Sequence, residues 1–363
     1  MDRAEDGPKR AIRRRAAADG RRRAVRIAEV AAKAGVSTAT VSRTLANPER
    51  VSAETRARVL EVVRLTGYTP NLAGRSLRAA RSMMALVMVP TVVTPFFSAL
   101  LLGIDRALAA HGYGLLVGHD AREKGRHLAD VVLAGQADGV IVLDGRIPRG
   151  TARSLDEAGV PVVAVSVPPI SADVPAVLVQ DREGGVLAAR HLLGLGHRRF
   201  GYVTGPARSY ADHERWAGFQ STLAAAGIPE EAVARWPGDY HVGTGVATGE
   251  RFLAASGRER PTAVFAASDM MAIGFLRTVR AAGVRVPDDV AVVGFDGIEF
   301  ADYCEPPLTT IRQPREAMGR EAAELLVRVI RGEPVPKAER SRRLEVSLRV
   351  AGSTVPVGRR DPP

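Results

Sequence analysis

Two sets of residues are placed for chemistry. The first lies in GVSTATVSRTLANPERVS, residues 35–52, where Ser37, Thr38, Ala39, Thr40, Ser42 and Arg43 crowd onto what reads as the start of a short helix. Small side chains keep a helix backbone close to whatever it lies against. Thr and Ala can reach a base edge or a thymine methyl, and Arg43 offers paired donors to guanine or one charge to a phosphate. A bland surface turn uses the same residue types, so this stretch alone leaves both readings open. The second set closes a series of apolar runs: Asp144, Ser166, Asp181, Ser268 with Asp269, and Asp296. Their oxygens could grip a polar ligand, but strand ends are also where a chain returns to water. Asp269, opening a helix, fits a cap as well as a ligand.

Periodicity gives the elements that must carry the first set. IAEVAAKAG sets Ile27, Val30, Ala31 and Ala34 on one helical face that ends at Gly35. Ser37 offers an N-cap oxygen to TATVSRTL, which stops near Asn47 and Pro48. Ser52 caps a third helix, AETRARVLEVVRLTG, with Val59, Val62, Val63 and Leu65 as apolar positions. Three helices joined by short turns make one small all-α domain. The following YTPNLAGRSLRAA is too polar for a core helix, and isolated helices under roughly 12 residues are marginal in water. It reads as a linker that coils when given something to pack against.

After Arg81 the rhythm changes to MALVMV, YGLLVGH, GVIVLD, PVVAVSV, AVLVQD, FGYVTG, AVFAAS and VAVVGFD, separated mostly by alanine- and leucine-rich segments of helical length. Continuous apolar strands alternating with helices mean parallel sheets covered on both faces. The strands are too many for one typical sheet, which predicts two doubly wound α/β subdomains, with ligands bound beyond the carboxyl ends of the strands.

Charge is divided unevenly. Residues 1–81 hold 19 basic and 8 acidic side chains, whereas residues 82–363 hold 32 of each, so the whole excess of +11 sits in the first quarter. A basic head on a neutral body points to a polyanion at the head alone. Residues 1–24, with few apolar side chains, read as a disordered basic tail. Cys304 is the only cysteine, which excludes an intrachain disulfide and a thiolate metal cluster. No apolar stretch of signal-peptide or membrane-spanning length occurs, so neither export nor a membrane partner is expected, and the cytoplasm is the default.

A helix of small and hydroxyl-bearing residues behind a tight turn at Gly35 is what a helix-turn-helix needs to bring its second helix close to DNA. The wording VRIAEVAAKAGVSTATVSRTLANPERVSAETRARVLEVVRLTGYTPNLAGRSLR resembles the head of the LacI/GalR family of bacterial transcription regulators almost residue by residue. TPFFSALLLGID, ADGVIVLD, HLLGLGHRRFGYVTGP, RWAGF, PTAVFAASDMMAIGFLRTVRAAGVRVPDDVAVVGFD and PPLTTIRQP look like successive landmarks of that family's core. The resemblance implies a helix-turn-helix head joined to two parallel-sheet lobes of periplasmic-binding-protein type. It implies a head at 25–70, a hinge helix at 71–81 and a core at 82–352. The first lobe would be about 82–180 and 312–340, the second about 181–311 and 341–352, with a disordered tail at 353–363.

By the same resemblance Thr38, Ala39 and Arg43 are base readers, with Ser37, Thr40 and Ser42 nearer the backbone. Asn71, Arg75 and Leu77 belong to a hinge helix that orders on DNA, Leu77 wedging into the minor groove. Phe97 and Ser166 line a cleft from the first lobe. Asp181, Arg215, Tyr240, Ser268, Asp269 and Asp296 are carried over to the same site, where Arg215 and Asp296 grip adjacent hydroxyls of a sugar-like ligand. The implied partners are a palindromic operator in double-stranded DNA, a small carbohydrate-like effector and a second copy of the chain, with no cofactor and no metal. Three positions depart from the family pattern: Arg26 replaces a capping threonine, Gly74 a hinge alanine, and Gln180 stands before Asp181.

Two other functions compete. A sugar-transport protein predicts an export signal and no basic head. An enzyme predicts a reactive motif, and the chain has no GxxxxGK[ST], no GxSxG and no metal-ligand spacing among its seven histidines.

Overall fold

The computed structural model describes residues 25–68 and 81–354, apart from 92, 120–131, 133, 144–154, 156, 169–170, 172 and 256. The basic tail, the hinge segment with Asn71, Arg75 and Leu77, and Asp144 lie outside the described residues. The chain divides into two compact units, 1–80 and 81–363.

The described part of the first unit is three helices, α1 (Ile27–Ala34), α2 (Thr38–Ala46) and α3 (Ala53–Thr66). Gly35 closes α1 at φ 61°, a left-handed conformation that glycine adopts without penalty. Ser37 and Ser52 accept hydrogen bonds from the amides of Thr40 and Thr55 and so start α2 and α3. Val30, Ala31, Ala34, Val41 and Val59 form the core, with Val62 and Val63 packed against it. Leu65, expected among the apolar positions of α3, is 71% exposed within this unit.

The second unit is built on two six-stranded sheets. In the first, β1 (Met84–Val89), β2 (Gly114–His119), β3 (Gly139–Val142), β4 (Val162–Val165) and β5 (Ala176–Val179) are joined by β11 (Ser341–Leu344), in the order β11-β5-β4-β3-β1-β2. In the second, β6 (Phe200–Val203), β7 (Val233–Trp236), β8 (Ala263–Ala266), β9 (Ala291–Asp296), β10 (Thr309–Arg312) and β12 (Ser347–Arg349) run in the order β12-β10-β9-β8-β6-β7. Every pairing is parallel except β12 on β10. Strands β3, β4, β5, β6, β8 and β9 are buried along their whole length, which is why they are continuous rather than alternating apolar runs.

Helices α4 (Pro95–Ala110) and α9 (Arg315–Ile330) pack together on the first sheet, and α5 (Asp181–Gly194), α6 (Tyr210–Ala225), α7 (Val242–Ala254) and α8 (Asp269–Ala281) belong to the second lobe. The chain passes between the lobes three times, at Gln180 after β5, at Gln313–Pro314 after β10, and at Glu345–Val346 between β11 and β12. The last passage corrects the expected boundary at 340/341. Residues 341–344 belong to the first lobe, because Ser341 to Leu344 pair with Ala176 to Val179. SRRL is a polar edge strand and carries no apolar run to reveal it. The expected disordered tail also begins too early. Ser353 and Thr354 are buried, Ser353 Oγ accepting from the Thr309 amide at 2.8 Å and donating to the Val292 carbonyl at 2.6 Å. Hydroxyl groups that satisfy buried backbone look, in sequence, like a solvated end.

Candidate functional site

On α2 the helical repeat sorts the opening motif into two faces. Val41 and Thr44 are buried against α1 and α3, while Thr38, Ala39, Ser42 and Arg43 are exposed together on the opposite side. Ser37 and Thr40 are engaged with each other. The Thr40 amide donates to Ser37 Oγ at 3.1 Å, and the two hydroxyls lie 2.9 Å apart. The exposed face is thus small, uncharged at its start and ends in one guanidinium, with no large side chain holding a partner away.

The second site is a cleft of about 430 Å³ between the two lobes of the core. Phe96, Phe97, Leu143 and Ser166 line it from the first lobe, and Arg208, Ser209, Tyr210, Arg215, Asp239, Tyr240, His241 and Asp296 from the second. Of the expected effector residues, Phe97, Ser166, Arg215, Tyr240 and Asp296 share this cleft. Four residues other than glycine have positive φ among the described residues, and three of them, Ser166 at 57°, Tyr240 at 70° and Asp296 at 119°, line it. Such conformations cost roughly 1–3 kcal/mol each and persist where the surroundings impose them, commonly at ligand sites. The buried Ser166 Oγ has no hydrogen-bond partner among the described residues.

Arg215 is the centre of the inner wall. Its Nε donates to Asp181 Oδ1 at 2.9 Å and its Nη1 to the Ala267 carbonyl at 2.6 Å, with Asp296 Oδ1 3.9 Å away. The guanidinium lies over the Phe295 ring, 3.6 Å from its centroid. Burial works against its charge, but Asp181, Tyr240 and Asp296 hold its pKa above the usual arginine range. Burial also raises Asp181, against the pull of Arg215. Asp296 is pushed up to about 6 by burial, opposed by Arg215, Arg315 and the hydrogen bond from Gln313 Nε2 at 2.8 Å. Ser209 and Tyr240 join hydroxyls at 2.7 Å, and Asp212 accepts from Tyr202 and the Gly205 amide behind them.

Three expected residues do not line the cleft. Asp181 lies behind Arg215 and orients it. Ser268 caps α8 through the Met271 amide. Asp269 is fully buried, accepting from Thr310 Oγ1 at 2.6 Å and the Ile298 amide at 2.8 Å, and burial beside Asp296 raises its pKa. Ser268 is thus the cap of α8, whereas Asp269, the first residue of that helix, fastens Thr310 and the Ile298 amide instead of capping it. Sequence reasoning passed over Phe96, Leu143, Arg208, Ser209, Tyr210, Asp239 and His241. Of these only Phe96, beside Phe97, carried a local signal. No group of three or more His, Cys, Asp or Glu side chains among the described residues is arranged to hold a metal ion, and no helix among them is long and apolar enough to cross a membrane.

Comparison with known proteins agrees with this division. Residues 26–71 match the family described as "Bacterial regulatory proteins, lacI family", and residues 189–354 match the "Periplasmic binding protein-like domain". The chain is 36% identical over 328 residues to the HTH-type transcriptional repressor CytR of Escherichia coli strain K12, covering 90% of this chain and 95% of that protein. Among solved structures, a lac repressor dimer bound to operator and the anti-inducer ONPF superposes with a TM-score of 0.77 at 28% identity, over 92% of this chain and 99% of that one. The complex of the transcriptional regulator CelR with cellobiose gives 0.67 at 36% identity, over 91% and 99%. With an exposed face of small residues on its second helix and a buried Arg215 facing an interlobe cleft, the chain belongs to the lacI family of bacterial regulatory proteins.

Proposed function

We propose that the protein is a transcriptional repressor that binds a palindromic operator as a homodimer in the cytoplasm. A small polyhydroxylated molecule of carbohydrate type, held between the lobes, sets its affinity for DNA. The observation that carries this reading is one chain holding both an exposed face of Thr38, Ala39, Ser42 and Arg43 and a cleft walled by Arg215 and Asp296. Its relatives are regulators, so the work is binding and not turnover.

Guanidinium donors and carboxylate acceptors suit neighbouring hydroxyls, and Phe97 and Tyr240 offer apolar surface to the C–H face of a ring. Cellobiose in the CelR complex supports an occupant of this class. A ligand touching both lobes favours one interlobe angle over another, and only that difference in affinity can alter DNA binding. Residues 71–81 are the proposed relay, with Asn71 and Arg75 near the phosphates and Leu77 as the minor-groove wedge. An apolar wedge costs a few kcal/mol of unstacking and is offset by the contacts a kinked duplex allows.

One head makes few contacts, and a two-fold operator needs two. Val93, Ile273, Phe300 and Tyr303 border an open groove on the core, with Phe300 57% and Tyr303 79% exposed, and this is the face proposed for pairing. Selection of duplexes from a random library at physiological salt, followed by anisotropy titration, tests the reading. A palindrome preferred at least a hundredfold over random duplex is expected, weakened or strengthened by one member of a sugar and nucleobase panel. Equal affinity for every duplex ends it.

A further inference from the structure

The turn that carries Asp296 into the cleft is held in an unusual conformation. Its φ of 119° is disfavoured for an L side chain, and Gly297 follows at 65°. A Cβ on Gly297 would lie 2.6 Å from Cγ of Arg312, so only glycine fits there. The donors that fasten this turn come from the passage leading back to the first lobe and from the start of α9, while the Gly297 amide donates to Thr310 Oγ1 of β10 at 3.3 Å. Gln313 grips Asp296 twice, its backbone N–H donating to the Asp296 carbonyl at 3.3 Å and its Nε2 to Oδ1 at 2.8 Å. Arg315, the first residue of α9, donates from its guanidinium to the Gly297 carbonyl at 2.7 Å. None of these donors lines the cleft.

We propose that Gln313 and Arg315 are positioning residues for the effector, clamping Asp296 and Gly297 so that the Asp296 carboxylate faces the ligand. Both residues stand where the chain returns from the second lobe to the first. A change of interlobe angle therefore re-aims that carboxylate, and the grip on the ligand depends on how the lobes stand. The inference rests on the cleft reading for the ligand it serves, but the clamp itself is made of protein groups alone and is tested with no ligand added.

The test is amide hydrogen exchange on the full-length protein, wild type against Gln313→Leu, Arg315→Met and Arg315→Lys. Residues 295–299 are expected to exchange roughly tenfold faster in Gln313→Leu and Arg315→Met, with β8 of the same lobe unchanged. Arg315→Lys restores most of the protection, since an ammonium can still donate to the carbonyl. A second readout is the pH titration of the Asp296 carboxyl carbon, which is faced by Gln313, Arg215, Arg315, Asp181 and Asp269. Losing either donor moves that titration upward from about 6. Unchanged exchange and titration in both Gln313→Leu and Arg315→Met overturn the clamp, as does acceleration spread evenly over both lobes. Neither result bears on whether a ligand binds, which the panel above decides separately.

Discussion

Arg215 and Asp181 stand on different helices and meet at 2.9 Å because Gly185 and Gly218 let those helices touch backbone to backbone. A Cβ on Gly185 would run into the Arg215 carbonyl, and one on Gly218 into the Arg182 carbonyl. Two glycines that bind nothing thus decide where the guanidinium of the cleft can stand.

Gly185→Val is therefore expected to push α5 from α6, lowering stability by about 1–3 kcal/mol in urea melts and weakening ligand binding. Wild-type stability in that variant would show that the two helices have slack to give.

Arg215→Met leaves Asp181 buried without its cation, and breaking a buried pair this way costs about 3–5 kcal/mol. Adding Asp181→Leu should return much of the stability but none of the ligand affinity, so calorimetry and chemical denaturation must part company in the double variant.

The Asp296 carboxyl is raised from 3.8 to about 6, so the folded protein holds its proton more tightly than the unfolded chain. Its contribution to stability is fully present below pH 4 and is lost as pH rises through about 6. Asp296→Asn should flatten that part of the stability profile. A ligand that donates hydroxyls to the carboxylate should bind more tightly above pH 6 than below it, and titration at pH 5 and pH 7.5 checks this.

Arg43→Ala separates base reading from phosphate holding. If Arg43 pairs with guanine, the variant loses about 1–3 kcal/mol on operator and relaxes specificity at that base pair. A phosphate contact instead gives a loss common to all sequences and reduces the salt slope by about one. Anisotropy at several salt concentrations distinguishes them.

Tyr303→Asp combined with Phe300→Glu places charge on the exposed groove and should turn dimers into monomers by sedimentation velocity. Operator affinity should fall with dimerisation, while melting of the core changes little. A dimer that persists in the double variant moves the pairing face elsewhere.

Much of the architecture was legible because strands buried on both faces must be apolar throughout, and GVIV, VVAV and AVFA advertise that. Ser37 and Ser52 were legible as caps for the same local reason. The site was legible only in part. Asp296 closes a strand and announces itself, but Arg215 sits in the middle of α6, where nothing nearby in sequence marks it as buried; the family resemblance supplied it. Ser268 and Asp269 stand outside the cleft lining because a polar residue at a strand end has the same signature in sequence whether it faces a ligand or a buried amide or hydroxyl. Tyr210, Asp239 and His241 were missed because the cleft gathers them from the start of α6 and from the loop before α7, far apart in sequence from the residues they join. The edge strand β11 escaped because its register is set by β5, not by its own hydrophobicity.

Three covalent passages between the lobes leave them little freedom to slide or swivel. What survives is a jaw-like bend about one axis. A visitor of a dozen atoms need not reshape either jaw; it has only to choose where the bite comes to rest.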